Sequence, residues 1–165
     1  MTLLETLLPE FDHEMAITRT LLERVPDDKL AWKPHEKSMS LAALASHLSN
    51  LPFWGEVAIT QSAFDVGTAP AGTLHDSRAA LLAAFDTQVA TTRQAMAGRT
   101  DAELLAPWTL KNEGKTIFTM PKAAVLRTFM LNHVIHHRGQ LSVYLRLNEV
   151  PLPSIYGPSA DERPF

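Results

Sequence analysis

Along most of the chain, apolar residues return every three or four positions, the spacing that covers one side of an α-helix. From Thr2 to about Arg24 the period is kept by Leu4, Leu7, Leu8, Phe11, Met15, Thr18 and Leu22, with Pro9 either bending the helix or marking its start. A second run, from about Met39 to Gln61, turns Leu44, His47, Leu48, Leu51, Trp54 and Ala58 inward. Ser38 or Ser40 can cap it, and Pro52 is expected to kink it or leave a gap in its hydrogen-bond ladder. A third helix, opened by Asp76 or Ser77, reaches about Ala97, with Leu81, Leu82, Phe85, Val89, Thr92 and Met96 on its core side. The longest run, Pro121 to Leu147, carries the seam Leu126, Met130, His133, His137, Leu141 and Tyr144, with steps of four, three, four, four and three.

The segments between these runs read differently. The connector after Pro26 holds Trp32 and Pro34, and Phe64 to Thr73 (FDVGTAPAGT) has the Gly and Pro content of a surface loop. Thr100 and Glu103 have capping-box spacing and predict a short helical turn. Trp108 to Thr119 has two β-prone runs around Asn112-Glu113-Gly114, which predicts a small hairpin. The proline-containing tail from Asn148 to Phe165 is expected to lie extended over the helices. Four long amphipathic helices predict an all-α, four-helix bundle in a single domain spanning residues 1–165.

Composition narrows the function. Hydrophobic residues make up 45% of the 165 and charged residues 20%, ordinary for a globular protein. A net charge of −3 with no basic cluster argues against nucleic acid and anionic membrane as partners. No stretch approaches the roughly 20 apolar residues of a membrane span. The N-terminal MTLLETLLPEFDHE lacks the basic region of a signal peptide, so the cytoplasm is the expected location. There is no cysteine. Any metal site must therefore be built from His, carboxylate and water.

His133 and His137 are the residues that change the picture. Four residues turn a helix through about 400°, so the two rings stand one above the other on the inward seam. A single inward histidine is ordinarily a core residue hydrogen-bonded to a neighbour. Two on one seam need partners for both nitrogens of each ring, and a shared metal ion is one solution. His47, on the apolar side of the second helix, is the obvious third ligand. His136 points about 100° away from His137 and reads as a bystander.

The segments WKPHEKSMSLAALASHLSNLPFW, LNHVIHHRGQLSVYLRL and VPLPSIYGPSADE, in this order, resemble the DinB/YfiT-like superfamily. The resemblance implies a four-helix bundle of up-down-down-up topology, often a homodimer. It also implies a divalent metal held by three histidines, which correspond here to His47, His133 and His137. Arg138, Gly139 and Gln140 match the motif without an assigned role; Gln140 could sit behind a ligand, and Trp54 and Tyr144 could line the mouth or simply belong to the core.

Three neutral imidazoles suit zinc or nickel, with iron or cobalt as alternatives, and leave a position open for water or substrate. Such a metal can lower the pKa of a bound water or hold a thiol as thiolate. Characterised members of the superfamily include thiol transferases and thiol-dependent isomerases, which favours transfer of a low-molecular-weight thiol to a small electrophile. A metal-dependent hydrolase is the alternative, weakened because Val, Ile and His fill the interval between His133 and His137 where a zinc hydrolase motif would carry Glu. Asp12, Glu14 and Glu56 are the candidate general bases by sequence. A non-catalytic, stress-linked metal-binding protein is the third reading.

Overall fold

Each of the first three long helices begins where a hydroxyl side chain stands ready to cap it. In the computed structural model, which describes residues 1–163, α1 (Leu3–Leu22) is opened by a capping box: Thr2 accepts from the Glu5 amide, and Glu5 reaches back to the Thr2 amide. The helix runs unbroken through Pro9, whose ring lies on the exposed side. Ser40 caps α2 (Leu41–Asn50) at 3.1 Å from the Ala43 amide, and Ser77 caps α4 (Arg78–Met96) at 3.3 Å from the Ala80 amide. A second capping box, Thr100 with Glu103, starts the short α5 (Asp101–Leu105).

The run expected as one helix from Met39 to Gln61 is two, because α2 ends before Pro52 and α3 covers Phe53–Thr60. Proline has no N–H to give and crowds the preceding turn. The Pro52 carbonyl accepts from the Thr92 hydroxyl of α4 at 2.7 Å, a buried bond that fixes the break against its neighbour. Gly55 makes the approach of α3 feasible. A Cβ there would stand 2.4 Å from Thr92 Cγ2 and 2.5 Å from Met130 Sδ, so any side chain would force the elements apart.

The expected hairpin is present as β2 (Pro107–Asn112) and β3 (Lys115–Pro121), antiparallel, with Glu113 and Gly114 both at positive φ. That pair of conformations is what a two-residue hairpin turn asks for. One strand was not expected: β1 (Ala63–Asp65) pairs parallel with β2, Phe64 opposite Leu110, and overlaps the start of the stretch read as loop. Its end is stapled, since the Asp65 carboxylate accepts from the amides of Gly67, Glu113 and Gly114 at 3.0, 2.9 and 2.7 Å. The molecule is mostly helical with this three-stranded sheet attached.

The last long run also departs from a regular α-helix. It comprises α6 (Lys122–Val125), a π-helical stretch over Leu126–Leu131, and α7 (Asn132–Leu147). Such wide turns cost regular hydrogen bonding and recur beside functional sites. Here the stretch ends immediately before the histidine segment.

Helices α1 and α2 each pack against both α4 and α7, while α3 packs on α4 and the π-helical stretch. Between them lie Phe11, Leu44, Leu48, Phe85, Val134 and Leu141, all essentially sealed from solvent. Each such side chain contributes about 1.5–3 kcal/mol by leaving water. The tail lies over the helices and ties to them through Arg24–Glu162 and Arg146–Asp161. Among the described residues, no helix is long and apolar enough to cross a membrane.

Candidate metal centre

Helix α2 supplies His47 and helix α7 supplies His133 and His137, and packing of α2 on α7 brings the three together. One ring nitrogen from each lies within 4.8 Å of the others. Ring centroids are 4.5 Å apart for His47–His137, 4.7 Å for His133–His137 and 5.0 Å for His47–His133. The Nε2 atoms of His47 and His133 are 3.3 Å apart. Two nitrogens bound to a tetrahedral ion at about 2.0–2.1 Å are separated by about 3.3–3.4 Å, so this edge already has the span a zinc-like ion requires.

One of the remaining nitrogens is tied back. The Nδ1–H of His137 donates to Gln140 Oε1 at 2.7 Å, one helical turn along α7. The Phe129 carbonyl, in the π-helical stretch, draws a proton toward the His133 ring. The Gln140 bond fixes the tautomer that leaves Nε2 of His137 free, the usual outer support of a metal-ligating histidine.

Electrostatics keep the rings uncharged. Burial pushes the His47 imidazole down to about 4, and the neighbouring rings of His137 and His133 push the same way. Burial also lowers His133, with His137 reinforcing it against the Phe129 bond. For His137, burial outweighs the Gln140 bond, which acts in the opposite direction. Three neutral imidazoles, one with an oriented lone pair, form a group that can hold a divalent ion.

The other residues singled out from sequence have definite places. Trp54 lines a cavity that reaches His47. Gln140 stands behind His137, not behind His133. Tyr144 packs edge-on against Trp32 at 5.5 Å and donates to the Met39 carbonyl at 3.3 Å, so it props the rim without lining that cavity. His136 is exposed and lies outside the cluster. Asp12 is held by Arg93 and Glu14 by Arg138 and Tyr156, and Glu56 does not line the cavities that border His47.

Sequence reasoning left Arg138 without a role; it is 1% exposed and pairs with Glu14 at 2.7 Å. Its guanidinium also donates to the Glu14 carbonyl, the Thr18 hydroxyl and the Tyr156 hydroxyl, and lies 5.1 Å from the centre of the Tyr156 ring. A signal existed. Glu14 falls between Phe11 and Thr18 on the apolar face of α1, and Arg138 falls four residues after Val134 and three before Leu141.

Comparison with known proteins identifies the family and the fold. The DinB family model matches residues 1–163. Protein YrdA of Bacillus subtilis is 42% identical over 43 residues, a stretch covering 26% of this chain and 25% of that protein. The fold is shared with two solved structures. The DinB-like protein YjoA of Bacillus subtilis is 22% identical with a TM-score of 0.66, covering 89% of this chain and 94% of that one. A DinB-like protein of Bacillus cereus is 22% identical with a TM-score of 0.69, covering 92% and 97%. With the family match running from the first residue to Arg163, and with three histidines meeting between α2 and α7, the chain belongs to the DinB family.

Proposed function

We propose that this protein binds one divalent ion, zinc or nickel, at His47, His133 and His137, and uses it to transfer a low-molecular-weight thiol to a small electrophile. The observation that supports this most is the donor set itself: three converging neutral imidazoles with no carboxylate among them. The ion would supply Lewis acidity, which makes a bound thiol a competent nucleophile near neutral pH. Transfer forms one S–C bond, expels the leaving group with its electron pair and releases the thiol proton to solvent. The chain's own part is to present Nε2 atoms, hold His137 through Gln140, and offer the electrophile an aromatic-walled cavity beside His47.

A hydrolase would also need a base to take a proton from water. Asp12 and Glu14 are engaged in ion pairs elsewhere, which disfavours that reading. The frame that carries the site is inferred to be a four-helix bundle of up-down-down-up order, in keeping with α1 and α2 each touching both α4 and α7. We infer a homodimer as well. Val143 and Leu147, each 57% exposed on α7, are apolar surface that a second copy could cover, and the mass in solution tests it.

The test of function starts with metal content of untagged protein purified without chelator. One zinc or nickel per chain, absent from His47→Ala, is the expected result. Small thiols are then screened against activated aryl and epoxide electrophiles. Turnover in the loaded wild type and none in His47→Ala at equal metal-free melting temperature supports catalysis. Tight metal binding without turnover across the screen favours the non-catalytic reading.

A further inference from the structure

Two cavities of about 260 Å³ each meet at His47 of the metal centre, sharing His47, Asn50 and Gly72 in their walls. They differ in character. One is walled by Phe53, Trp54, Phe64, Val66 and Pro70; the other has Met39, Ser46, Thr73 and Leu74. The aromatic wall is braced from behind, because Trp54 lies edge-on to Phe53, Phe64, Trp108 and Phe129 at centroid distances of 6.2, 5.3, 6.5 and 5.8 Å. Its shape is therefore fixed by core packing and not by the occupant.

The opposite wall comes from the loop between β1 and α4. Thr73 accepts from the Asn50 side chain at 3.0 Å, and the His75 amide donates to Ser46 at 2.8 Å, so α2 holds this loop over its own histidine. Around the mouth, Met39, Val66 and Leu74 remain 45%, 37% and 67% exposed. Large apolar side chains left in water beside a reactive position mark a place where an apolar ligand lands.

We propose that the cavity of Phe53, Trp54, Phe64, Val66 and Pro70 is a binding site for a phenyl-sized or branched-alkyl group of the substrate, held while its reacting atom faces His47. This rests on the metal reading above and names the substrate class for it. The size fits: an apolar protein cavity of about 150 Å³ already accepts benzene, and this one is about 260 Å³. Ionic or extensively hydroxylated groups would lose their water against this wall without recovering hydrogen bonds, so the site selects against them. Asn50, common to both cavities, is the one side-chain amide available to a polar linker at the junction.

The experiment uses two metal-binding probes with the same head group, acetohydroxamate and benzohydroxamate, titrated into the zinc-loaded protein by calorimetry. Benzohydroxamate is expected to bind at least about tenfold more tightly, the discrimination that small apolar increments give in a fitted pocket. Ala69 lines the same cavity from the loop, so Ala69→Phe fills it, and Val66→Asp charges its wall; each should remove the phenyl advantage and leave acetohydroxamate unchanged. Neither position is in the sealed core, and the two variants act by different means. Equal affinities for both probes in the wild type, or parallel losses of both in the variants, would overturn the assignment while leaving the metal site standing. Failure of zinc to bind in the preceding titration would overturn the metal reading, and this one with it.

Discussion

His137 and Arg138 are adjacent on α7 and serve polar clusters of opposite kinds. His137 turns toward α2 and joins a half-buried group whose rings are kept neutral and whose Nε2 atoms face one another. Arg138 turns toward α1 and joins a buried group in which its charge meets Glu14 and its other donors meet Thr18 and a carbonyl, with the exposed Tyr156 at its outer edge. One cluster is closed, with donors matched to acceptors. The other is open, with lone pairs aimed at a common point and a cavity at its side. The contrast separates a polar group that specifies structure from one that awaits a ligand, and it is testable residue by residue.

The largest effect expected is on metal binding. Removing one of three ligands in His47→Ala should abolish zinc binding at micromolar concentration, measured by competition with a chromophoric chelator. A hundredfold excess of zinc over its Kd stabilises a protein by about 2.7 kcal/mol. For a chain of this size that is about 5–10 °C in melting temperature. The wild type should show the rise and the variant should not. If Arg138→Met behaved the same way, the two clusters would not be independent.

Arg138→Met is expected to act on stability instead. Breaking a buried ion pair strands Glu14, at a cost of about 3–5 kcal/mol. Denaturant unfolding should record that loss while zinc stoichiometry stays at one per chain. The companion double variant, Glu14→Leu with Arg138→Met, should recover most of it, because no charge is then left unpaired.

A smaller effect should follow from the support of the ligands. Gln140→Ala frees Nδ1 of His137 to choose either tautomer, and loss of such a partner weakens metal binding about 10–100-fold. Unfolding of the metal-free protein should barely change, since Gln140 is exposed.

The open cluster was more legible in the sequence than the closed one, for a physical reason. Histidines at i and i+4 on an apolar seam are a conspicuous chemical pattern, and the resemblance to DinB-like proteins pointed to the same three positions. Arg138 and Glu14 are 124 residues apart, and their pairing depends on α1 lying against α7, which no local pattern encodes. Helix starts were readable because Thr2, Ser40, Ser77 and Thr100 are caps that act locally. The break at Pro52 was foreseeable as a kink; that α4 would hold it, through the Thr92 hydroxyl donating to the Pro52 carbonyl, is a contact 40 residues away that no local pattern encodes. Strand β1 is three residues long and exists because β2 offers it an edge. The π-helical stretch left no trace in a pattern that still returned its apolar residues at helical spacing.

The smallest and finest test of the contrast is in pH. An unfolded histidine takes up its proton near 6.5, but folded His47 holds out until about 4 because burial and two neighbouring rings oppose the charge. Between these values the unfolded chain binds a proton that the folded chain refuses. The folding stability associated with His47 is therefore fully present above about 6.5 and falls away as pH drops toward about 4. Metal binding has the same sign, since zinc and protons compete for Nε2. Zinc affinity of the folded protein should stay nearly flat from pH 8 through about 6.5 and decline only further down, as the lowered pKa values of the three rings, about 4 for His47, are approached. In the metal-free protein, His47→Gln should flatten the part of the stability profile between about 6.5 and 4 that the wild type shows. The double variant Glu14→Leu with Arg138→Met should leave that part of the slope in place, because it removes the carboxylate together with its partner and strands no titrating group. A slope that changed in this double variant and not in His47→Gln would mean that the acid sensitivity belongs to the Arg138–Glu14 pair, and the division between the two faces of α7 would have to be redrawn.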